Sequence, residues 1–180
     1  FKKGLGWYKK AAKLGSYFAQ YNLSSLYLTG KGVDKNEIKA FTWALKSDRE
    51  NYSKAQLRVG FMYKNGNGVK KNFNKAFYWF EKAALAGESS AQNQMGLFFF
   101  NGISIKKNIK KALYWYEKAS ALGSIEASYH LGLLYLSDPS IKPLSEKAFY
   151  GIGLAARNHH SLAQYQYAKM YALGIETPRN

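Results

Sequence analysis

Residues 75–84, KAFYWFEKAA, decide the fold, because a close copy, KALYWYEKAS, stands 36 residues later at 111–120. Sliding the whole chain along itself by 36 residues keeps this register without a gap. One alanine column and two aromatic columns follow the period, the last broken at Gly151: Ala19, Ala55, Ala91, Ala127 and Ala163; Tyr27, Tyr63, Phe99, Tyr135 and Tyr171; Trp7, Trp43, Trp79 and Trp115. A period of this length indicates an array of structural repeats.

Each period predicts two amphipathic helices, because apolar and small residues recur three and four apart on both sides of a glycine-containing break. In one unit, helix A is predicted at 55–64, helix B at 74–86, and the break at Gly66. Neither helix can bury its apolar stripe alone, so consecutive pairs must stack. The sequence therefore predicts an all-α, right-handed superhelix with a concave and a convex face, in which Trp43, Trp79 and Trp115 are equivalent packing anchors.

The predicted organisation is a single solenoid over 1–180. Its parts are a partial repeat at 1–18, full repeats at 19–54, 55–90, 91–126 and 127–162, and a partial repeat at 163–180. Because Phe1 falls inside a repeat fragment, we expect that upstream sequence has been removed. The compartment stays open, with a periplasmic or secreted location favoured over the cytoplasm.

The units 55–87 and 91–123 resemble the Sel-one-like repeat, a longer-looped relative of the tetratricopeptide repeat. The likeness rests on the turn GNGV at 66–69 and on the helix B segments quoted above, and it extends over essentially the whole chain. Two stretches depart from the pattern: 44–51 lacks the paired alanines and closing glycine, and 137–143 replaces the glycine turn with a proline-bounded loop. Both units are expected to be distorted.

Residue types argue against catalysis. The chain has no cysteine, which excludes disulfides, thiolate zinc sites and a cysteine nucleophile. The three histidines, His130, His159 and His160, have no metal-ligand spacing, and the glycine pairs follow helices as C-caps rather than cradling phosphate. No enzyme activity, metal or cofactor is predicted, and no apolar run is long enough to cross a bilayer.

The charge is strongly basic, with 27 Lys+Arg against 11 Asp+Glu and a formal net charge of +16. Lysines from equivalent loops and helix starts predict one basic ridge, made of Lys70, Lys71, Lys75, Lys106, Lys107, Lys110 and Lys111. The ridge is either a solvated edge or a surface that attracts nucleic acid or anionic membrane. No recognised nucleic-acid motif accompanies it, and lysine suits diffuse attraction better than bidentate readout.

The resemblance implies that helix A lines the concave face. The groove residues predicted from it are Phe18, Tyr21, Lys54, Leu57, Phe61, Lys64, Asn93, Leu97, Phe100, Tyr129, Leu133, Tyr165 and Lys169. Apolar anchors flanked by cations suit a protein or peptide partner with an acidic or amphipathic segment. The alternative is that several of these residues belong to the core between helices.

The resemblance also implies a protein-binding scaffold of bacterial type: an adaptor, a virulence-associated factor or a protein that gives immunity to a toxin. Binding of nucleic acid or anionic membrane through the ridge is the competing hypothesis.

Overall fold

We analysed a computed structural model, which describes residues 2–49, 52–137 and 145–175. Within these residues the chain forms ten helices and no strand: α1 (Lys2–Lys13), α2 (Tyr17–Thr29), α3 (Glu37–Lys46), α4 (Ser53–Asn65), α5 (Phe73–Leu85), α6 (Ser89–Asn101), α7 (Ile109–Ala121), α8 (Ile125–Ser137), α9 (Ser145–Arg157) and α10 (Ser161–Ala172). The predicted all-helical fold of helix–turn–helix pairs is confirmed. Even-numbered helices are helix A of a repeat and odd-numbered helices are helix B.

The chain divides into two compact units, Phe1–Ala91 and Gln92–Asn180, with the boundary inside α6. None of the described helices combines the length and the apolar character that a membrane crossing needs.

Helix B begins in the same way in three repeats. The side chains of Asn36, Asn72 and Asn108 each accept a hydrogen bond, 2.9 Å long, from the backbone N–H three residues further on. The backbone N–H of each asparagine donates to a carbonyl near the end of the preceding helix A. Because these caps satisfy N–H groups that the first helical turn leaves free, they fix where helix B starts.

Small residues let helix A and helix B pack closely in the first unit. Ala40 and Ala44 of α3 are fully buried and cluster with Val59 of α4. Gly60 lies directly against the ring of Phe80, since a Cβ built on this glycine would stand 2.6 Å from that ring. Phe80 is completely buried, so the ring occupies the space that the missing side chain leaves.

The second unit repeats this contact with different residues. Gly96 faces the ring of Tyr116, which is 1% exposed, and Gly132 faces Ile152. A Cβ on Gly151 would lie 2.8 Å from the carbonyl oxygen of Ser128. Helix α9 therefore approaches α8 too closely for any side chain at this position, and this explains why the tryptophan column breaks there.

The tryptophans are not equivalent packing anchors, and this prediction needs correction. Trp7 is 70% exposed, Trp43 and Trp79 are half-buried, and Trp115 is 8% exposed. Each carries the ammonium group of the lysine three residues later over its ring, at 4.9 to 5.9 Å from the ring centroid. In α5 and α7 the most deeply buried aromatic ring belongs to the residue after the tryptophan, because that residue faces the glycine of helix A.

Where the sequence departs from the repeat pattern at 44–51, helix B is shorter than in the next repeat. Helix α3 ends at Lys46 after 10 residues, whereas α5 has 13. The Asp48 carboxylate that follows α3 accepts a hydrogen bond from the Gln56 amide at 2.8 Å and pairs with Lys82 at 2.7 Å. The loop predicted at 137–143 lies, from residue 138 on, outside the described residues.

His159 occupies a backbone conformation that suits glycine. Its φ is 62°, while Gly15, Gly87 and Gly123 at the same repeat position have φ between 83° and 94°. Holding a residue that has a side chain in the left-handed region costs roughly 1–2 kcal/mol. Glycine avoids this cost, but it loses more chain entropy on folding, which offsets part of the gain. We expect His159→Gly to raise the free energy of unfolding by about 0.5–1 kcal/mol in urea titrations.

The adjacent His160 is the matched control. Its Nδ1 accepts a hydrogen bond of 3.1 Å from the backbone N–H of Ala163 and caps α10. His160→Ala should therefore lower the free energy of unfolding by about 1 kcal/mol. If both substitutions destabilise the protein equally, the strain assigned to residue 159 is absent.

Candidate functional site

In the first unit, α2 and α4 form a groove on the helix A side of the repeats. Its cavity has a volume of about 270 Å³. The lining residues are Tyr21, Leu28, Lys54, Leu57, Arg58, Phe61, Met62, Asn65 and Asn67. The groove thus combines aliphatic and aromatic side chains with two cations and two amides.

The guanidinium of Arg58, one of the two cations of this groove, is fixed by two contacts with Tyr21. Its guanidinium carbon stands 3.6 Å from the centroid of the Tyr21 ring, and its Nη1 donates to the Tyr21 carbonyl at 2.6 Å. Burial lowers the pKa of Arg58, whereas Tyr21 acts to raise it. Arginine remains charged under all ordinary conditions, so the groove contains a permanent positive charge.

Aromatic rings surround the start of both helices. The ring of Tyr52 lies 5.2 to 5.4 Å, centroid to centroid, from the rings of Tyr17, Phe18 and Tyr21. Burial is the main reason why the pKa of Tyr52 is raised. The Tyr52 phenol is therefore neutral near pH 7, and the cluster offers flat apolar faces beside Arg58.

In the second unit, the groove on the helix A side has a volume of about 220 Å³. It is lined by Leu97, Phe100, Asn101, Tyr116, His130, Leu133, Leu134 and Ser137. Apolar side chains predominate, and the described lining contains no lysine or arginine. This groove therefore fits an apolar segment better than an acidic one.

His130 takes the repeat position of Arg58. Its Nδ1 is 3.2 Å from the Asn93 side-chain oxygen, and its ring stacks on Tyr116 with centroids 5.4 Å apart. Burial, followed by repulsion from His160, lowers the pKa of His130 below its ordinary value, while Glu126 acts in the opposite direction. The imidazole is therefore neutral near pH 7.

The structure brings most of the predicted groove residues to these two cavities. Tyr21, Lys54, Leu57 and Phe61 line the first, and Leu97, Phe100 and Leu133 line the second. Lys64 lies over the Phe61 ring at 5.8 Å, and burial lowers its pKa. Phe18, Tyr165 and Lys169 are exposed but line neither cavity.

Asn93 and Tyr129 are corrections to the predicted groove. Asn93 is 6% exposed, and its side-chain oxygen lies 3.2 Å from His130 Nδ1. Tyr129 is 7% exposed, belongs to the apolar core of the second unit and lies against His160, with ring centroids 4.6 Å apart. Neither side chain offers a surface to a partner.

Arg58 and His130, which line the two grooves, were not predicted from the sequence. Both stand one residue after the column used to assign the groove, which runs through Leu57 and Tyr129. The occurrence of a basic residue at both positions is the sequence feature from which their place in the grooves could have been predicted.

All seven lysines of the predicted basic ridge are exposed. Four of them cover aromatic rings at 4.8 to 5.4 Å from the centroid: Lys71 over Phe73, Lys75 over Tyr63, Lys107 over Phe100 and Lys111 over Phe99. A lysine in such a contact packs its aliphatic stem on the protein, so these four have a structural role besides their charge.

Carboxylates and histidines do not gather into a site in the part of the chain that the structure describes. No group of three or more acidic or histidine side chains there could hold a metal ion. Glu117 accepts a hydrogen bond from the Tyr135 hydroxyl at 2.9 Å. Burial and this bond raise the pKa of Tyr135 to about 12.

Comparison with known proteins adds relatives of the same architecture. A Sel1 repeat protein from Oxalobacter formigenes is 35% identical, with a TM-score of 0.89 over 99% of this chain and 74% of its own. The protein c5321, a protective antigen of uropathogenic Escherichia coli strains with an SLR fold, is 30% identical, with a TM-score of 0.89 over 97% of this chain and 38% of its own. The immunity protein Pa5087 from Pseudomonas aeruginosa is 29% identical, with a TM-score of 0.57 over 84% of this chain and 56% of its own.

No curated protein matches the chain significantly. The family model of the Sel1 repeat matches residues 1–16, 18–47, 53–88, 89–124, 125–158 and 161–180. Proteins built of these repeats generally act as scaffolds for protein interactions. With matched segments along nearly its whole length, the chain belongs to the Sel1 repeat family.

Proposed function

We propose that this chain is a non-catalytic scaffold that holds a partner protein on the helix A side of its repeats, the side predicted to be concave. The observation that carries the proposal is the chemistry of the two grooves. Each presents partly exposed apolar side chains of helix A, Leu57 and Phe61 in one and Leu97 and Phe100 in the other. Partly exposed aromatic and aliphatic anchors in a cavity are typical of protein interfaces.

The role of such a scaffold is that of a bacterial adaptor, a virulence-associated factor or an immunity protein. The likeness to Pa5087, which is named an immunity protein, and to c5321, which is named a protective antigen, supports this range. We also propose that residues 1–180 form one solenoid made of the repeats predicted from the sequence.

A capture experiment with matched baits tests the proposal. The wild-type chain and a chain carrying Phe61→Ala and Phe100→Ala are immobilised and exposed to a lysate of the native cell. The proposal expects a stoichiometric protein on the wild-type bait that is lost from the variant while helical content is retained. Equal capture by both baits would exclude the grooves as the binding surface.

The ridge lysines should tune the rate of association rather than create the complex. Changing Lys70, Lys71, Lys106 and Lys107 to Gln should slow association by about tenfold at low salt, because exposed charges attract a partner at long range. The dissociation rate should change less than the association rate, since none of these four lysines lines a groove and only Lys107 touches an anchor, the Phe100 ring. Stopped-flow or surface-based kinetics measures both rates.

A different result would favour the competing hypothesis. Tight binding to DNA or to vesicles of anionic lipid, falling steeply between about 50 and 200 mM salt and abolished by the four lysine changes, would make the ridge the functional surface.

A further inference from the structure

Arg58 is a half-buried cation without a counter-ion in the described residues. Its ring contact and its hydrogen bond are both with Tyr21: the ring face at 3.6 Å and the backbone carbonyl at 2.6 Å. The ion pairs formed by the described residues join Lys35 to Glu37 and Lys82 to Asp48. Among the residues that the structure describes, no acidic side chain therefore compensates the charge of Arg58 in the groove.

The guanidinium also keeps unused donors. It has five N–H groups in a planar fork, and the Tyr21 carbonyl takes one of them. The tyrosine ring covers a face of the guanidinium but accepts none of the in-plane bonds. Because partial burial removes water from a charged group, a site of this kind gains most from an anion that enters the groove.

The same repeat position differs in the other repeats. It holds Asn22, Gln94, His130 and Gln166, so Arg58 is the residue that gives this position a permanent charge. His130 is held by Asn93 instead, and burial lowers its pKa, so it is neutral near pH 7. The charge at Arg58 is thus a local feature of the first unit and not a requirement of the repeat fold.

We propose that Arg58 binds a carboxylate side chain of the partner protein, while Leu57 and Phe61 of the same cavity receive an apolar side chain next to it. The inference rests on the proposed scaffold function and specifies its partner: a segment in which an acidic residue is flanked by apolar ones. Lys54, exposed at the rim of the same cavity, adds positive charge. The basic net charge of +16 favours an acidic segment over a neutral one.

The test is an NMR titration with two matched peptides, acetyl-Leu-Glu-Leu-amide and acetyl-Leu-Gln-Leu-amide. The protein carries ¹⁵N-labelled arginine, and the side-chain Nε–Hε signal of Arg58 is assigned by its loss in Arg58→Gln. The Glu peptide should shift this signal saturably and bind about tenfold more tightly than the Gln peptide. The signals of Arg49 and Arg157, both exposed, are internal controls and should move little.

Two variants complete the experiment. Arg58→Gln places a residue that the chain already uses at 94 and 166, so the fold should be retained, and the tenfold preference should fall to about one. Arg58→Lys keeps the charge but loses the fork and should give an intermediate preference. Thermal melts of both variants check that the first unit remains folded.

Other outcomes overturn the inference. If both peptides shift groove signals with equal affinity, Arg58 is not a carboxylate site, yet the scaffold proposal stands. If Arg49 and Arg157 respond as strongly as Arg58, the attraction is general charge. If neither peptide shifts the Arg58 signal, the site takes no carboxylate, and the scaffold proposal is then judged by the capture experiment alone.

Discussion

Phe80→Ala should lower the free energy of unfolding by about 3–5 kcal/mol, the range for removing a fully buried aromatic ring. Phe80 is completely buried, fills the space beside Gly60 and meets the Phe61 ring edge-on at 5.1 Å. Since neighbouring backbone cannot collapse into a cavity of this size without breaking the helix contact, little of the loss should be recovered. Urea unfolding followed by circular dichroism measures it.

Trp79→Ala is the matched control, because it removes a larger ring from the adjacent position. Trp79 is half-buried and lies under the Lys82 ammonium group at 5.3 Å, so its loss should cost about 1–2 kcal/mol. A larger loss for Trp79 than for Phe80 would restore the tryptophans as the main packing anchors.

Phe61→Ala combined with Phe100→Ala should weaken the partner complex by roughly 1–4 kcal/mol, because each ring is an anchor in a groove. Both rings are half-buried and line the cavities of the first and second unit, respectively. Isothermal titration with the captured partner measures the change.

The control for this pair is on helix B. Tyr78 and Tyr114 are 58% and 49% exposed and line neither groove, so Tyr78→Ala with Tyr114→Ala should change the affinity by less than about 0.5 kcal/mol. If the Phe61 and Phe100 changes unfold the protein, these rings belong to the core. If they change neither fold nor affinity, the partner binds elsewhere.

The sequence was sufficient to predict the helix pairs because the repeat marks both of their ends. Asn36, Asn72 and Asn108 recur at the start of helix B, and Gly30 and Gly66 end helix A in the left-handed conformation. Such caps act through local hydrogen bonds, and local interactions can be read from neighbouring residues.

The groove was harder to predict because it depends on how each helix is rotated. One residue corresponds to about 100° around a helix, so an error of a single position moves a side chain from the groove towards the core. Leu57 and Tyr129 share a repeat position, yet Leu57 lines a cavity and Tyr129 is buried beside His160. Whether the residue at this repeat position is buried depends on the side chain that lies next to it, and the repeat period does not specify that side chain.

The buried side chains that face the helix A glycines could have been predicted from a second regular spacing in the sequence. Gly60, Gly96 and Gly132 of helix A are followed at a constant interval by Phe80, Tyr116 and Ile152 of helix B. A glycine within a helix indicates close approach of another group, and here that group is the side chain at this interval. The sequence pattern favoured Trp79 as the packing anchor because tryptophan is larger and recurs more regularly.

Site-specific photocrosslinking determines whether the partner lies on the helix A side. Benzoylphenylalanine is placed at Leu57 or Leu97, and in separate chains at Tyr78 or Tyr114, before the captured partner is added and irradiated. We expect crosslinked partner from positions 57 and 97 and none above background from positions 78 and 114. Crosslinks from the helix B positions alone would contradict this expectation.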